Sequence, residues 1–357
     1  FFHAEDGIRH SSTSRGLGDV YKRQVTGVPE HHILISLCEG LTIPNPNPMG
    51  SDGYIPGTAE SWIISDDGKE YIFKLNKNAK WSNGDPVTAD DFVWSWRRIL
   101  TASLGAQYPD MLYYLVGAYE YHNGQIDNFD EVGVKALDTH TLKVNLKNPT
   151  PFFIGLLSHY STWPVHKETV LKHGDIDDRN GEWTRPGNFV CNGPFQLKTW
   201  ELNNKIVVEK NPHYYDASMV RLNEIHYYPV SNVMTEDRMF RAGQLHLTSS
   251  MPTQKCPIYI EEKNPNLKID PYMGTYFYRI NTENETLSDV RVRKALAYSI
   301  DRQLLVDKVT QCGQIPAYSF TPPGSNGYQP STEIPYDPVL ACLLYTSPSP
   351  RDVEECR

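Results

Sequence analysis

The chain has 357 residues and a formal net charge of -9. This mildly acidic composition provides no basic surface for a phosphate backbone, so nucleic-acid binding is excluded as a class of function. No apolar run approaches the length of a membrane span.

The two ends of the chain are related through their coding DNA. One DNA string that encodes residues 14–24 has a reverse complement that, in another frame, encodes residues 342–351. Chance does not place both strands of one oligonucleotide at the two ends of a gene, and the string resembles a transposon-based sequencing adapter. We therefore expect residues 1–24 and 342–357 to be a library artefact, to be set aside like a fusion scar. A disordered tail at each end would not explain the complementarity.

Four cysteines remain between those ends, at Cys38, Cys191, Cys256 and Cys312. They are widely spaced, and no pair has the CxxC spacing. The sequence therefore predicts neither a disulfide scaffold nor a zinc site. Residues 25–341 are long enough for two domains or more.

The segment 57–96 holds the clearest local signals. Residues 66–68 (Asp-Asp-Gly) are turn residues between two apolar stretches, which predicts a hairpin. Large apolar residues then recur at every second position over 71–76, the period of a strand with one packed face. Thr88, with Asp91 three residues later, predicts a helix that begins close to a capping box. The predicted apolar face of that helix consists of Phe92, Val93, Trp96 and Ile99.

Further along the chain, residues 175–193 are polar and turn-rich and form a candidate crossing between domains. Strands are predicted at 195–200, 205–210 and 225–229. Residues 289–311 are predicted to form two helices, the second opened by Asp301 as N-cap. The combination predicts an α/β protein with mixed sheets.

Side chains capable of catalysis or metal binding are scattered. His159, His166 and His173 are seven residues apart, but Pro164 prevents one helix from holding all three, so surface positions are favoured over a metal site. Paired acidic residues fall at a hairpin turn, at a helix N-terminus and in polar stretches, where they need no catalytic role. No Gly-x-Ser-x-Gly elbow, Walker loop or HExxH motif occurs. The tryptophans are expected mainly in the core.

Several segments together carry a family resemblance, beginning with "GTAESW" and "KWSNGDPVTADDFVWSW". They lie at 57–62, 80–96, 133–153, 192–200, 209–217, 289–302 and 316–324. The set resembles the bacterial extracellular solute-binding proteins of family 5, the ligand receptors of ABC importers for peptides. The segments at 289–302 and 316–324 look closer to oligopeptide receptors than to dipeptide or nickel receptors. By this resemblance the chain is a truncated member, flanked by translated adapter residues.

The resemblance implies an architecture that spacing alone does not. The fold would be like the type II periplasmic binding proteins, with a discontinuous set of domains. Domain I would comprise residues 25–38 and 182–272, domain II residues 39–181, and the start of a truncated domain III residues 273–341. In the family the ligand sits in the cleft between domains I and III.

The resemblance also assigns candidate ligand contacts. In peptide-binding relatives an extended peptide is held mainly through its backbone, like an added strand. The matching positions are Thr26, Gly27, Val28, Tyr108, Ser249, Ser250, Gly274 and Tyr276. Residues 271–281 match the strand that enters domain III, and Gly274 stands where some relatives have a disulfide cysteine.

The implied function is that of a non-enzymatic receptor without a cofactor. It would bind oligopeptides and deliver them to the membrane permease of an ABC importer, as a monomer in the periplasm or on the outer face of the cell membrane. A sibling for another solute (a dipeptide, a murein peptide, a nickel complex or an oligosaccharide) is the alternative, followed by a peptidase on a similar scaffold. A fragment that lacks one wall of the cleft is expected to bind poorly.

Overall fold

The computed structural model of the chain describes residues 28–46, 53–179, 181–230, 232–270, 272–323 and 328–345. The chain divides into two compact units, Phe1–Ser250 and Met251–Arg357. Residues 1–24 and 346–357, which belong to the predicted adapter segments, lie outside the described residues.

The first unit mixes short helices with antiparallel sheets. Its helices are α1 (Val28–Leu37), α2 (Ala89–Leu100), α3 (Ala118–His122), α4 (Phe153–Leu156), α5 (Lys167–Lys172) and α6 (Val233–Arg241). Its strands are β1 (Thr42–Pro44), β2 (Tyr54–Pro56), β3 (Ala59–Ile64), β4 (Glu70–Leu75), β5 (Val134–Asp138), β6 (Thr141–Asn145), β7 (Phe195–Glu201), β8 (Lys205–Lys210) and β9 (Glu224–Tyr227). The sheet orders are β1–β2, β3–β4–β6–β5 and β7–β8–β9. All of these strand pairs are antiparallel, so the described residues show the predicted mixture of helices and strands without the parallel pairing of a mixed sheet.

Strands β3 and β4 form the hairpin predicted around residues 66–68, with Trp62 opposite Phe73. Gly68 has a φ of +67°, a conformation that glycine adopts without steric cost. The side chains of Tyr71, Phe73 and Leu75 are buried, as the alternation predicted. The local signals of this segment are therefore confirmed.

Helix α2 begins with the predicted capping box. The Asp91 carboxylate accepts hydrogen bonds from the backbone N–H of Thr88 at 2.7 Å and from the Thr88 hydroxyl at 2.9 Å. The Trp96 indole N–H donates to the carbonyl of Thr162 at 2.8 Å, so this large core side chain is also satisfied. Phe92, Trp96 and Ile99 are fully buried and Val93 is partly buried, which confirms the predicted apolar face.

The first unit contains two hydrophobic cores. One draws its buried residues from 41–157 and includes Phe73 and Trp96. The other draws them from 33–38 and from 163–227, where α1 packs against β7. The chain therefore leaves the second core after residue 38, completes the first core, and returns near residue 163.

Where the chain leaves the second core, residues 38–39 are joined to residues 191–192. The Asn192 side chain accepts a hydrogen bond from the N–H of Glu39 at 3.1 Å and donates one to its carbonyl at 2.9 Å. Cys38 and Cys191 form a disulfide, with their Cα atoms 5.3 Å apart. The expectation that the cysteines are too sparse for a disulfide framework was wrong, because residues 153 positions apart in sequence become neighbours within the second core.

The Glu39 carboxylate is buried at the same place. It accepts hydrogen bonds from the hydroxyls of Tyr214 at 2.5 Å, Tyr215 at 2.9 Å and Thr58 at 3.2 Å. Burial raises the pKa of Glu39 to about 7, although these donors act in the opposite direction. A single carboxyl group thus joins segments from both cores.

The second unit contains the helices α7 (Cys256–Glu261), α8 (Val290–Tyr298), α9 (Arg302–Leu305) and α10 (Pro338–Tyr345). Helix α8 packs against α10. The Asp301 side chain accepts a hydrogen bond from the N–H of Leu304 at 2.9 Å, which confirms it as the N-cap of α9. Cys256 and Cys312 form a second disulfide, with a Cα–Cα distance of 5.5 Å.

The strand expected over residues 271–281 is not formed in the described part, 272–281. A strand is stabilised by its hydrogen-bonded neighbour. The described residues of the second unit contain no other strand that would pair with it. The family resemblance of this segment alone does not supply that partner.

Candidate functional site

Only some of the predicted ligand contacts in the first unit lie among the described residues. Thr26 and Gly27 lie outside the described residues, and Val28 is the first residue of α1. Tyr108 directly precedes the short turn Pro109–Leu112, which packs against the turn Tyr160–Thr162. This packing places Tyr108 beside a group of aromatic rings.

We call this group the aromatic–histidine cluster: His31, Tyr108, His159, Tyr160 and Trp163. The Tyr108 ring lies edge-on to His159, with centroids 5.4 Å apart, and 6.3 Å from Tyr160. His31, one turn into α1, lies 5.8 Å from Tyr160 and 6.5 Å from Trp163. Three separate segments of the chain therefore converge on Tyr160.

His159 is held in one tautomer by its neighbours. Its Nδ1 accepts a hydrogen bond from the backbone N–H of Ser161 at 3.3 Å, and the Ser161 hydroxyl lies 2.8 Å away. Because Nδ1 acts as an acceptor, the proton of the neutral ring is on Nε2. Burial lowers the pKa of His159 to about 4, with a further contribution from His31.

His31 has a different environment. Its Nδ1 is buried and has no hydrogen-bond partner among the described residues. Burial, and to a smaller extent the neighbouring His32, lowers the pKa of this imidazole. The cluster therefore presents two neutral imidazoles near neutral pH, together with a half-buried phenol.

The two predicted serine contacts lie near the end of the first unit. The backbone N–H of Ser249 donates to the Glu236 carboxylate at 2.8 Å, and Glu236 itself is fully buried in α6. The main-chain donor of Ser249 is thus already used within the protein. The Ser249 side chain is exposed and Ser250 is half-buried.

The two candidates in the second unit lie in the irregular segment after residue 272. The N–H of Gly274 donates to the carbonyl of Tyr272 at 3.0 Å, and a Cβ at Gly274 would collide with the Tyr272 ring. Tyr276 is 88% exposed, and its ring contacts Tyr278 at 5.9 Å. Both residues are exposed, and neither is fixed in orientation by packing against a core.

His166 serves the fold. His166 is 4% exposed, which corrects the expectation of a surface position. Its Nδ1 accepts from the N–H of Thr169 at the start of α5, and its ring packs edge-on against Trp81. Across the part of the chain that the structure describes, no group of three or more His, Cys, Asp or Glu side chains is arranged to hold a metal ion.

Comparison with known proteins decides the family. The model of the bacterial extracellular solute-binding proteins, family 5 (middle part), matches residues 53–345. The chain belongs to this family.

Curated relatives of this family 5 protein include the periplasmic oligopeptide-binding proteins OppA of Salmonella typhimurium, 39% identical over 315 residues, and of Escherichia coli, 40% identical over 308 residues. Each alignment covers 85% of this chain and 54% of the relative. The chain thus spans about half the length of the curated relatives that it matches.

Solved structures agree with the sequence comparison. OppA of Haemophilus influenzae in complex with the peptide RPPGFSPFR matches with a TM-score of 0.77 and 35% identity, over 85% of this chain and 58% of that one. An oligopeptide-binding protein of Borrelia burgdorferi matches with a TM-score of 0.81 and 33% identity, over 92% of this chain and 63% of that one. These neighbours are type II periplasmic binding proteins, so the predicted fold class of this family 5 protein is confirmed.

Sequence reasoning missed most of the aromatic–histidine cluster. Only Tyr108 was assigned to the site, and His159 was considered solely for its spacing from His166 and His173. The adjacent pair His31-His32 at the start of a helix was a usable signal, since its first ring faces Tyr160. The contacts of Tyr108 with His159 and Tyr160 join residues more than 50 positions apart and leave no local pattern.

Within the described residues, no helix has both the length and the apolar character needed to cross a bilayer.

Proposed function

We propose that this family 5 protein is the substrate-binding receptor of an ABC importer and that it binds oligopeptides. The observation that carries the proposal is the aromatic–histidine cluster, which contains the predicted contact Tyr108, in a chain whose relative is crystallised with a nine-residue peptide. Tyrosine and histidine rings supply large contact area together with polar groups. Such a surface accepts an extended chain of varied sequence.

The peptide would be held chiefly through its backbone, as an added strand is. Thr26, Gly27, Val28 and Tyr108 are the proposed contacts in the first unit. Ser249 would contribute its hydroxyl, which donates to Glu236 only at 3.5 Å, whereas its N–H is bound to Glu236 at 2.8 Å. Ser250, Gly274 and Tyr276 complete the proposed set. Hydrated pockets around the side chains would keep the specificity broad.

We also retain the division into a domain I of residues 25–38 and 182–272, a domain II of 39–181, and the start of a domain III at 273–341. The two cores support a discontinuous arrangement, since one core takes residues from both sides of the other. Trp163, Val165 and Val170 pack in the core that contains α1, so under this division part of the proposed domain II would contact domain I.

Delivery to the membrane permease, a monomeric state and a position in the periplasm or on the outer face of the membrane are parts of the same proposal. Its curated relatives in Salmonella typhimurium and Escherichia coli are periplasmic. We further propose that the protein has no catalytic activity, in keeping with a family of solute-binding receptors.

The test uses the longest continuous coding sequence that contains residues 28–345, expressed with export to an oxidising compartment. Calorimetry with a library of short and long peptides is expected to show binding of peptides of several sequences. A dipeptide, a murein peptide and deoxycholate serve as competitors, because relatives named for binding these compounds are 34–36% identical. Binding of one competitor and of no oligopeptide would refute the proposal. Mass spectrometry of the recovered peptide tests the non-enzymatic part, which cleavage would contradict.

A further inference from the structure

Two half-buried histidines of the cluster lack the acidic partner that other histidines have. His166 lies 3.2 Å from the Asp85 carboxylate, and His226 lies 2.9 Å from that of Glu224. For His31 and His159, no carboxylate lies within ion-pairing distance among the described residues. A positive charge on either imidazole is therefore not neutralised inside this part of the protein.

The hydrogen-bonding capacity of these two rings is also incompletely used. The Nε2–H of His159 is a donor, because its Nδ1 accepts from Ser161. The Nδ1 of His31 has no partner among the described residues. Unpaired polar atoms at a half-buried position are costly, and a bound group that pairs with them recovers that free energy.

The surrounding groups show which kind of ligand complements the rings. His32, on α1, lowers the pKa of His31. The exposed Asp110, in the turn after Tyr108, has a weak opposite effect and raises the pKa of His159. The phenols of Tyr108 and Tyr160 form the walls. The two rings repel each other when charged, and the one acid near them, the exposed Asp110, acts on His159 alone. The missing complement is therefore an anion that accepts hydrogen bonds.

We propose that His31 and His159, with Tyr108 as a wall, form a subsite that selects ligands with a carboxylate beside the bound peptide backbone. The chemical class is a peptide with an acidic side chain. This inference rests on the proposed function and adds a preference to it. Neutral peptides still bind through their backbone, whereas acidic peptides gain a charge-assisted hydrogen bond.

The subsite makes binding depend on pH in one direction. A bound carboxylate favours the imidazolium form, so acidic peptides bind together with uptake of a proton. Their affinity rises as the pH falls through the range in which the bound imidazoles titrate. The affinity of a neutral peptide does not follow this course.

The experiment compares peptides that differ only by Glu or Gln at each internal position, with the C-terminus either free or amidated. With the protein described above, a preference for Glu of about tenfold is expected at about pH 5.5, falling to about twofold at about pH 8. Calorimetry in two buffers of different ionisation enthalpy measures the proton uptake. The amidated series distinguishes an acidic side chain from the terminal carboxylate.

Matched variants assign the effect to the two rings. His31→Asn and His159→Asn are each expected to remove most of the preference for Glu and the proton uptake. The neutral peptide still binds to each variant, with its affinity lowered only by the lost ring contact. His213→Asn, at an exposed position beside Gly84, is the control. It is expected to keep the preference for Glu and the proton uptake. Retained binding of the neutral peptide shows that each variant is folded.

The outcomes separate the two proposals. If Glu and Gln peptides bind equally at both pH values, or if the histidine variants keep the preference, the carboxylate subsite is refuted and peptide binding stands. If only the free C-terminus matters, the side-chain assignment is refuted. If no peptide binds at all, the proposed function fails, and this inference fails with it.

Discussion

The two compact units of this chain are stabilised internally by different interactions. The first unit buries two clusters of large side chains, including fully enclosed Phe73, Trp81 and Trp96. In the described part of the second unit, the only buried residues are the small or medium ones Pro252, Cys256, Ala295 and Ala341. Its large aromatic side chains are mostly exposed, as Tyr276 shows. Burial of apolar surface is the main source of stability, so the second unit depends far more on its disulfide and local helix contacts.

The largest expected effect concerns the disulfides. In the chain-entropy description, opening the loop of 56 residues between Cys256 and Cys312 costs about 4 kcal/mol of stability. The second unit has little burial to offset that loss. The double variant C256S/C312S is therefore expected to lose amide protection throughout the second unit, while the first unit stays protected. Hydrogen exchange resolved by peptide measures both.

The matched variant is C38S/C191S. It opens a loop of 153 residues, for which the same description gives about 5 kcal/mol. Two cores and the Asn192–Glu39 hydrogen bonds still hold that unit, so its protection falls without being lost. If the first unit lost its protection and the second kept it after the corresponding changes, the contrast between the units would be wrong.

The next effect tests core burial directly. Trp96→Ala removes a fully buried indole and its hydrogen bond to Thr162, and it is expected to cost about 3–5 kcal/mol. Tyr276→Ala in the second unit, at an 88% exposed position, is expected to change stability by less than about 0.5 kcal/mol. Urea unfolding followed by fluorescence gives both values. Similar losses for the two variants would contradict the comparison.

The smallest expected effect concerns the buried carboxyl group of Glu39 in the first unit. The folded-state pKa of Glu39, about 7, lies above its ordinary value of 4.5, so the folded protein binds this proton more tightly than the unfolded chain. The resulting stability is fully present below about pH 4.5 and is lost as the pH rises through about 7. The total amounts to about 3 kcal/mol.

Glu39→Gln should abolish this particular pH dependence, because an amide does not titrate. Glu60→Gln, at an exposed position, should leave it intact. Stability measured in urea at several pH values checks the sign. A first unit that became more stable between about pH 5 and about pH 7 through Glu39 would contradict the assignment.

The local parts of the fold were predictable from sequence. The hairpin around Gly68, the capping box of Thr88 and Asp91, and the N-cap at Asp301 depend on neighbours within a few positions. Such short-range patterns can be recognised in a single sequence. Residues 272–281 were expected to form a strand from the family resemblance, and they show that a strand forms only when another strand pairs with it.

The candidate site was predictable only in part. Tyr108 was assigned from the family resemblance, whereas His31 and Tyr160 were not assigned at all. Ser249 was assigned as a main-chain or hydroxyl contact, and the structure shows its N–H bound to the buried Glu236. Which donors remain available for a ligand depends on how the protein satisfies its own polar groups, and this is a property of packing.

By itself, the sequence determined the family and the local elements of this protein, because motifs and short periodicities involve residues that are close together in the chain. Only the tertiary structure decided which cysteines pair, how Glu39 joins the two cores, and that His31 and His159 meet around Tyr160. Each of these contacts connects positions more than 50 residues apart. Their formation follows from the burial of apolar surface and the return of the chain, which no local pattern encodes.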